Sequence, residues 1–222
     1  MSTNGAVAGA RPSTFTQVKR RAQFVDCAID AIVDLGYQGA SVAEVARRAG
    51  VSKGVVTYHF AAKDDLIMAV VSRVFDSVAE HLRARLTDTT PQAFVADYIG
   101  AWVDYYRTRT RYMLAMRDIW SSFRDESGRQ RLGPDTGADE LAMIEHALRL
   151  GQERGCRGPF SPRVMAVTMK GALDRLLGLL VAEPGLDLQA YGAELIALFE
   201  RATSPGTPAP DSVRQASERQ QR

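Results

Sequence analysis

Apolar residues recur along most of the chain at intervals of three and four positions, which is the period of an amphipathic α-helix. Between residues 15 and 35 the period is carried by Val18, Ala22, Val25, Ile29, Ile32 and Val33. Two glycines, Gly36 and Gly39, then end this first helix. No segment shows the two-residue alternation of a β-strand between hairpin turns, and no internal repeat is present. The pattern predicts an all-α fold.

Capping signals divide the pattern into further helices. Ser41 and Glu44 form a capping box, in which the Ser41 hydroxyl accepts from the Glu44 amide and the Glu44 carboxylate accepts from the Ser41 amide. Gly50 ends this second helix, and Ser52 caps a short third helix that runs to about residue 59. Periodicity then predicts six more helices, at 64–86, 92–108, 111–124, 138–154, 162–182 and 188–201.

The last two helices have start signals of their own, and the chain ends lack helical patterning. Ser161 precedes Pro162, whose missing N–H costs nothing at the first helical position, and Asp187 caps the ninth helix. Residues 1–13 and 203–222 are small or polar and cannot bury enough apolar surface to offset chain entropy. We therefore expect both ends to be disordered.

Residues 41–60 have the layout of a helix-turn-helix, in which one helix crosses the DNA backbone and the next enters the major groove. Many helical hairpins share this layout, so the residue types at positions 51–60 decide whether it indicates DNA binding. Gly54 permits close approach, Thr57 offers a methyl group to thymine or a hydroxyl to phosphate, and three apolar anchors face inward. These anchors are Val51, Val56 and Phe60, and the further candidates for DNA contact are Lys53, Tyr58 and His59.

The second half of this motif resembles the signature of the TetR family of bacterial regulators. The residues that carry the resemblance are Ser52, Lys53, Gly54, Tyr58, His59, Phe60, Lys63 and Leu66. The similarity extends back through residues 43–51 and the Gly36-Tyr37 turn, so that it covers about residues 15–70. Membership would imply nine helices, of which three bind DNA, and a dimer packed through the last two.

The resemblance also implies roles for single residues. Lys53, Gly54, Tyr58 and His59 would contact the groove or the phosphates, and Lys63 would touch the DNA backbone. Val42 would offer its amide to a phosphate at the N-terminus of the second helix. Many members have a second aromatic residue where this chain has Thr57, so the base contacts do not transfer. The predicted DNA-binding set is Ser41, Val42, Lys53, Gly54, Thr57, Tyr58, His59 and Lys63.

The predicted organisation has a disordered arm at 1–13, a DNA-binding domain at 14–62, a ligand-binding and dimerisation domain at 63–202 and a disordered tail at 203–222. Large amphipathic side chains concentrate in the third segment. They would line a pocket for an apolar or aromatic molecule, or form an ordinary core. The tentative ligand-binding set is Trp102, Tyr105, Tyr106, Met113, Met116, Trp120, Met143, His146, Met165 and Met169.

Apolar stripes on the last two predicted helices are the candidate dimer interface, and the alternative is that they form intramolecular core. On the eighth helix the stripe comprises Leu173, Leu176, Leu177, Leu180 and Val181, and on the ninth it comprises Leu195, Ile196, Leu198 and Phe199. On the eighth helix Lys170 and Asp174 lie four residues apart and can form an ion pair.

Composition adds limits to this picture. Residues 1–75 hold nine Lys or Arg against six Asp or Glu, so the small net charge of +2 for the whole chain conceals an N-terminal basic excess. Cys27 and Cys156 fit neither a disulfide framework nor a paired metal motif, which favours a reducing cytoplasm. We expect no signal peptide, no membrane span, no metal and no cofactor.

Three classes of function are compared. The favoured one is a dimeric repressor that binds a palindromic operator and that a small apolar or aromatic effector releases. An enzyme would have to use His146 or His81 for acid–base chemistry, yet the sequence has no nucleophile elbow, phosphate loop or HExxH motif. An architectural protein that coats DNA would carry a much larger basic excess. The sequence therefore predicts a DNA-binding regulator with no catalytic residues.

Overall fold

The computed structural model describes residues 15–125, 127–132, 137–183 and 185–206. Within these ranges the chain forms nine α-helices, which confirms the all-α prediction. The helices are α1 Phe15–Gly39, α2 Val42–Ala49, α3 Lys53–His59, α4 Lys63–Leu86, α5 Phe94–Thr108, α6 Thr110–Ser122, α7 Ala138–Glu153, α8 Pro162–Ala182 and α9 Leu188–Thr203. The arm predicted at 1–13 and most of the predicted tail, residues 207–222, lie outside the described residues.

The predicted caps fix the ends of several helices. The Ser161 hydroxyl accepts from the Val164 amide at 3.3 Å, and the Asp187 carboxylate accepts from the first amides of α9. Gly50 adopts the left-handed conformation that ends α2, with φ 67° and ψ 33°. Each cap satisfies backbone groups that have no partner within the helix.

Gly36 interrupts α1 as predicted, with non-helical φ and ψ of 75° and 166°, and a short helical stretch follows to Gly39. Two other local predictions need correction. The capping box is only half formed, because the Ser41 amide donates to the Gly39 carbonyl while the Glu44 carboxylate binds arginines. The last helix includes Thr203, which is fully buried, so the tail predicted to begin at this residue begins after it.

The chain divides into two compact units between Arg73 and Val74, within α4. The sequence pattern predicts a division after residue 62 instead. The first turns of α4 bury Leu66, Ile67 and Val70 completely, which explains why they belong to the first unit. The first unit therefore contains α1 to α3 and the beginning of α4.

The second unit is built around α5, which packs against α9, α6 and α8, while α7 packs against α8. Its core includes Tyr98, Ile99, Ile144, Leu173 and Leu176, all at most 1% exposed. No helix among the described residues is both long enough and apolar enough to cross a lipid bilayer.

A buried arginine connects the end of α9 with other parts of the second unit. The Arg157 side chain is 2% exposed and pairs with the Glu200 carboxylate through both terminal nitrogens, at 2.6 and 3.0 Å. It also donates to the Thr203 hydroxyl at 2.9 Å and to the Gln92 carbonyl. Gly158 packs so closely here that a Cβ would lie 2.3 Å from the Ser204 carbonyl oxygen. The loop after α7, the start of α5 and the end of α9 thus meet at one side chain.

Candidate DNA-binding surface and ligand cleft

The third helix has one buried face and one exposed face. Val56 and the following Phe60 are at most 1% exposed and anchor the helix in the first unit. Lys53, Thr57 and Tyr58 are exposed, and Tyr58 retains 76% of its surface. Lys53 and Thr57, four residues apart, lie on one face of the helix, and the exposed Tyr58 lies next to Thr57, so the structure exposes these predicted contacts on the side away from the core.

Gly54 forms an open position within this surface. A Cβ built there would meet only the Ser52 hydroxyl, at an ordinary contact distance of 3.8 Å. The packing of the first unit therefore does not require glycine, although glycine costs about 1 kcal/mol relative to alanine inside a helix. The open space at Gly54 is compatible with the predicted close approach of the α3 backbone to another molecule.

His59 differs from its predicted neighbours because its ring is partly buried. The ring packs edge to face on Phe24, with centroids 5.5 Å apart, and on Tyr58, at 5.2 Å. Burial lowers the pKa of His59, and the nearby Arg21 and Arg20 lower it further. The imidazole is consequently neutral at pH 7, so that it can donate a hydrogen bond to a phosphate but brings no positive charge.

Lys63 already has a partner within the first unit. Its ammonium donates to the Tyr37 carbonyl at 2.6 Å and lies 4.3 Å from the centroid of the Tyr37 ring. Burial lowers the pKa of Lys63, an effect that Asp64 opposes. The residue holds the start of α4 against the turn after α1, and a phosphate contact would have to use its remaining donors.

The N-terminus of α2 presents the other predicted contacts. Ser41 is exposed, but its hydroxyl is engaged in the cap, and Val42 is partly buried. The adjacent basic cluster, Arg47 and Arg48, is bound to Glu44, so that hydrogen bonds from both arginines lower the pKa of that carboxyl to about 2. Two of the nine basic residues of the N-terminal segment are therefore ion-paired within the protein.

A cavity of about 720 Å³ lies in the second unit between the later turns of α4 and the start of α7. Its wall is mostly apolar. The lining residues are Phe75, Val78, Ala79, Leu82, Arg83, Leu86, Thr87, Gly137, Ala138, Asp139, Glu140 and Met143. We call this cavity the α4–α7 cleft; its volume falls in the range of small-molecule sites.

The predicted ligand-binding residues are distributed between the cleft and the core. Met143 lies on the cleft wall, and His146 is exposed on α7. Trp102, Tyr105 and Tyr106 pack on one another in the core at 1–3% exposure. Two of the predicted methionines, Met116 and Met169, are buried, and Met113 and Met165 are partly buried against the core. Trp120 is partly buried as well.

Glu140 connects the cleft to this aromatic core, and sequence reasoning missed it. One carboxylate oxygen accepts from the Tyr98 hydroxyl at 2.7 Å and from the Trp102 indole N–H at 2.8 Å. The other lies 3.9 Å from the Lys170 ammonium, which also pairs with Asp174 as predicted. An acidic residue in the first turn of a helix is common, so nothing in the sequence distinguished this one.

The apolar stripes of α8 and α9 are largely intramolecular, which corrects the residues proposed for the dimer interface. Leu173, Leu176, Leu177, Leu195 and Phe199 are all buried within the unit. Two members of the predicted stripes are exposed, namely Val181 at 45% and Leu198 at 51%. Val164 at 64% and Val167 at 47%, which the prediction did not include, are exposed on α8 as well.

Comparison with known proteins agrees with this arrangement. Residues 24–70, from α1 to the early turns of α4, match the model of the tetR family of bacterial regulatory proteins. The HTH-type transcriptional regulator BetI of Pectobacterium carotovorum is 30% identical over 114 residues, which cover 50% of this chain and 58% of BetI. The chain thus matches less than two thirds of the length of such relatives, and they are regulators of transcription, not enzymes.

Similarity to solved structures extends over both units. A transcriptional regulator from Saccharomonospora viridis in complex with choline superposes with a TM-score of 0.74 at 17% identity, covering 84% of this chain and 98% of that one. A SmeT–triclosan complex gives a TM-score of 0.68 at 23% identity, covering 86% and 98%. At these identities the likeness concerns the fold. The match over residues 24–70 shows that the first unit contains the helix-turn-helix segment of the tetR family of bacterial regulatory proteins, and the rest of the chain shares the fold of the two solved structures.

Proposed function

We propose that the protein is a sequence-specific transcriptional regulator that represses from a palindromic operator and is released by a small, mainly apolar effector. The exposed face of α3 carries this proposal. Lys53, Gly54, Thr57 and Tyr58 lie together there, on a helix held in place by buried apolar anchors and inside the segment that matches the family. Such a face combines donors for phosphates and bases with an unobstructed backbone.

The test is selection of bound duplexes from the source genome, followed by gel shifts against specific and random competitor DNA. A sequence-specific regulator should enrich one duplex and keep it in the presence of excess random DNA. An architectural protein would instead lose the probe equally to either competitor and show a steep salt dependence. Enrichment of no sequence would contradict the proposal.

We further propose that α8 and α9 form a dimer interface through their exposed residues. Val164, Val167, Gly171, Gly178 and Val181 follow one another on α8 at intervals of three, four, seven and three positions, which places them on one face. A Cβ at Gly171 would meet nothing within the protomer. A bare glycine on an exposed helix face destabilises the monomer, and close packing of a partner helix would compensate for this.

Replacement of Gly171 tests this interface. Gly171→Gln should weaken dimerisation by at least about tenfold, because the added side chain would lie between the two helices, although it raises the intrinsic helix propensity of α8. Analytical ultracentrifugation over a concentration series measures the dissociation constant. The matched control is Ala142→Gln on the exposed face of α7, which should leave the dimer unchanged. An unchanged dimer in Gly171→Gln would place the interface elsewhere.

The α4–α7 cleft is the proposed effector site. It offers an apolar wall, with Glu140 as a partly buried acceptor at its edge, and structures of the same fold have been solved with choline and with triclosan. α4 carries this wall on its later turns and Lys63 at its start. We propose that a ligand in the cleft favours a position of α4 in which the DNA-binding unit engages the operator less well.

Filling the cleft tests its role. Ala79→Trp places a large side chain against the apolar wall, and we expect it to weaken binding of the fluorescent apolar probe anilinonaphthalene sulfonate by about tenfold or more. Fluorescence titration measures the dissociation constant, with choline and triclosan as competitors. Ala142→Trp lies on the same unit outside the cleft and serves as the control. Equal probe binding by the two variants would rule out the cleft as the apolar site.

A further inference from the structure

The hydroxyl of Thr57 is already engaged within α3. It lies 3.2 Å from the Lys53 carbonyl oxygen and 3.1 Å from the Gly54 carbonyl oxygen, as donor to either. A threonine hydroxyl has a single hydrogen, and phosphate oxygens only accept hydrogen bonds. With its proton directed at the helix backbone, Thr57 has no donor left for a phosphate.

The methyl group and the oxygen lone pairs of Thr57 remain available. Thr57 is exposed, next to Tyr58 and one turn after the bare backbone of Gly54. A small side chain beside a glycine lets the helix approach the floor of the major groove, where thymine presents its 5-methyl group. Apolar contact between a threonine methyl and a thymine methyl is a recognised means of base readout.

We propose that Thr57 reads a thymine in each half-site of the operator through its methyl group. This inference rests on the proposed function and names one base that the recognition helix selects. It decides between the two roles that the sequence left open for Thr57. These are an apolar contact of its methyl group with thymine and a hydrogen bond from its hydroxyl to a phosphate. The competing use of the lone pairs, to accept from adenine N6 or cytosine N4, is an outcome of the test.

The experiment combines two protein variants with a base replacement. The probe is the most enriched duplex from selection with the wild-type chain, and each symmetric pair of thymines is replaced in turn by uracil, which lacks only the methyl group. For one such pair the wild-type affinity should fall by about fourfold per half-site. Thr57→Val keeps the methyl and should show the same discrimination, whereas Thr57→Ser should bind the thymine duplex more weakly and not distinguish uracil.

The outcomes separate the inference from the proposed function. Unchanged thymine discrimination in Thr57→Ser, or its loss in Thr57→Val, would overturn the methyl contact while specific binding stands. A loss of affinity of about tenfold or more in Thr57→Val would assign the contact to the hydroxyl oxygen. If selection enriches no duplex, the proposed function fails and this inference with it. The proposal is supported if the losses of binding free energy caused by Thr57→Ser and by the uracil replacement are not additive when the two are combined.

Discussion

Arg157→Ala should lower the free energy of unfolding of the second unit by about 2–4 kcal/mol. The guanidinium is almost completely buried, and its terminal nitrogens bind Glu200, Thr203 and the Gln92 carbonyl. Removal of the side chain leaves a cavity and takes the buried donors away from these acceptors. The end of α9 would lose its attachment to the start of α5 and to the loop after α7.

The chain offers a specific probe and a matched control for this measurement. Both tryptophans, Trp102 and Trp120, belong to the second unit, so tryptophan fluorescence during urea denaturation follows that unit alone. Arg149 on α7 forms an exposed pair with Glu145, and Arg149→Ala should cost less than about 1 kcal/mol. Protein concentration must be held constant, because dimerisation would contribute to stability. Equal effects of the two substitutions would contradict the role assigned to Arg157.

The helices could be predicted from the sequence because local signals determine their ends. Ser161 with Pro162, Asp187 and Gly50 act on backbone groups within one or two turns, so no tertiary information is needed. Gly36 acts in the same way, because its φ of 75° and ψ of 166° interrupt α1 where the sequence predicted an end. The short helical stretch that continues to Gly39 was not predicted.

The function of the apolar stripes could not be read from periodicity. Leu173 and Val181 satisfy the same helical pattern, yet the first is buried in the core and the second is 45% exposed. A hydrophobic core and a dimer interface both favour apolar residues on one face of a helix. Only the three-dimensional structure shows which of these residues are buried within the protomer. In the proposed interface, the exposed Gly171 of α8 would be the sequence feature that indicates a partner, and the buried leucines would not.

Buried polar contacts between distant residues also could not be predicted from the sequence. Glu140 reaches tyrosine and tryptophan residues about forty positions away, and Arg157 reaches Glu200 across 43. The helical periodicity of the sequence does not indicate which residues pair over such distances along the chain. The same holds for Lys63, because its contact with Tyr37 is a tertiary one. For α3 the sequence correctly predicted Val56 and Phe60 as inner anchors, because these residues lie within two turns.

The double substitution Lys53→Ala with Tyr58→Ala should weaken binding to the selected operator by about a thousandfold. Both side chains are exposed on α3, and a dimer would present four of them to the DNA. At about 1 kcal/mol for each hydrogen bond to the DNA, their removal corresponds to nearly three powers of ten in affinity. Because neither side chain is part of the core, the first unit should keep its fold, which circular dichroism can verify.

The single substitutions separate the two contacts. Lys53→Ala should reduce the slope of log affinity against log salt concentration by about one for each phosphate that the variant no longer neutralises, because fewer counterions are then released on binding. Tyr58→Phe keeps the ring and removes only the hydroxyl, so it should weaken binding by about thirtyfold, at about 1 kcal/mol for each of the two hydroxyls in the dimer, with no change in that slope. Arg149→Ala, in the second unit, should leave DNA affinity unchanged. Specific binding that survives the double substitution would show that the interface does not depend on Lys53 and Tyr58. The other exposed positions of α3, Gly54, Val55 and Thr57, have no side-chain donor to offer a phosphate.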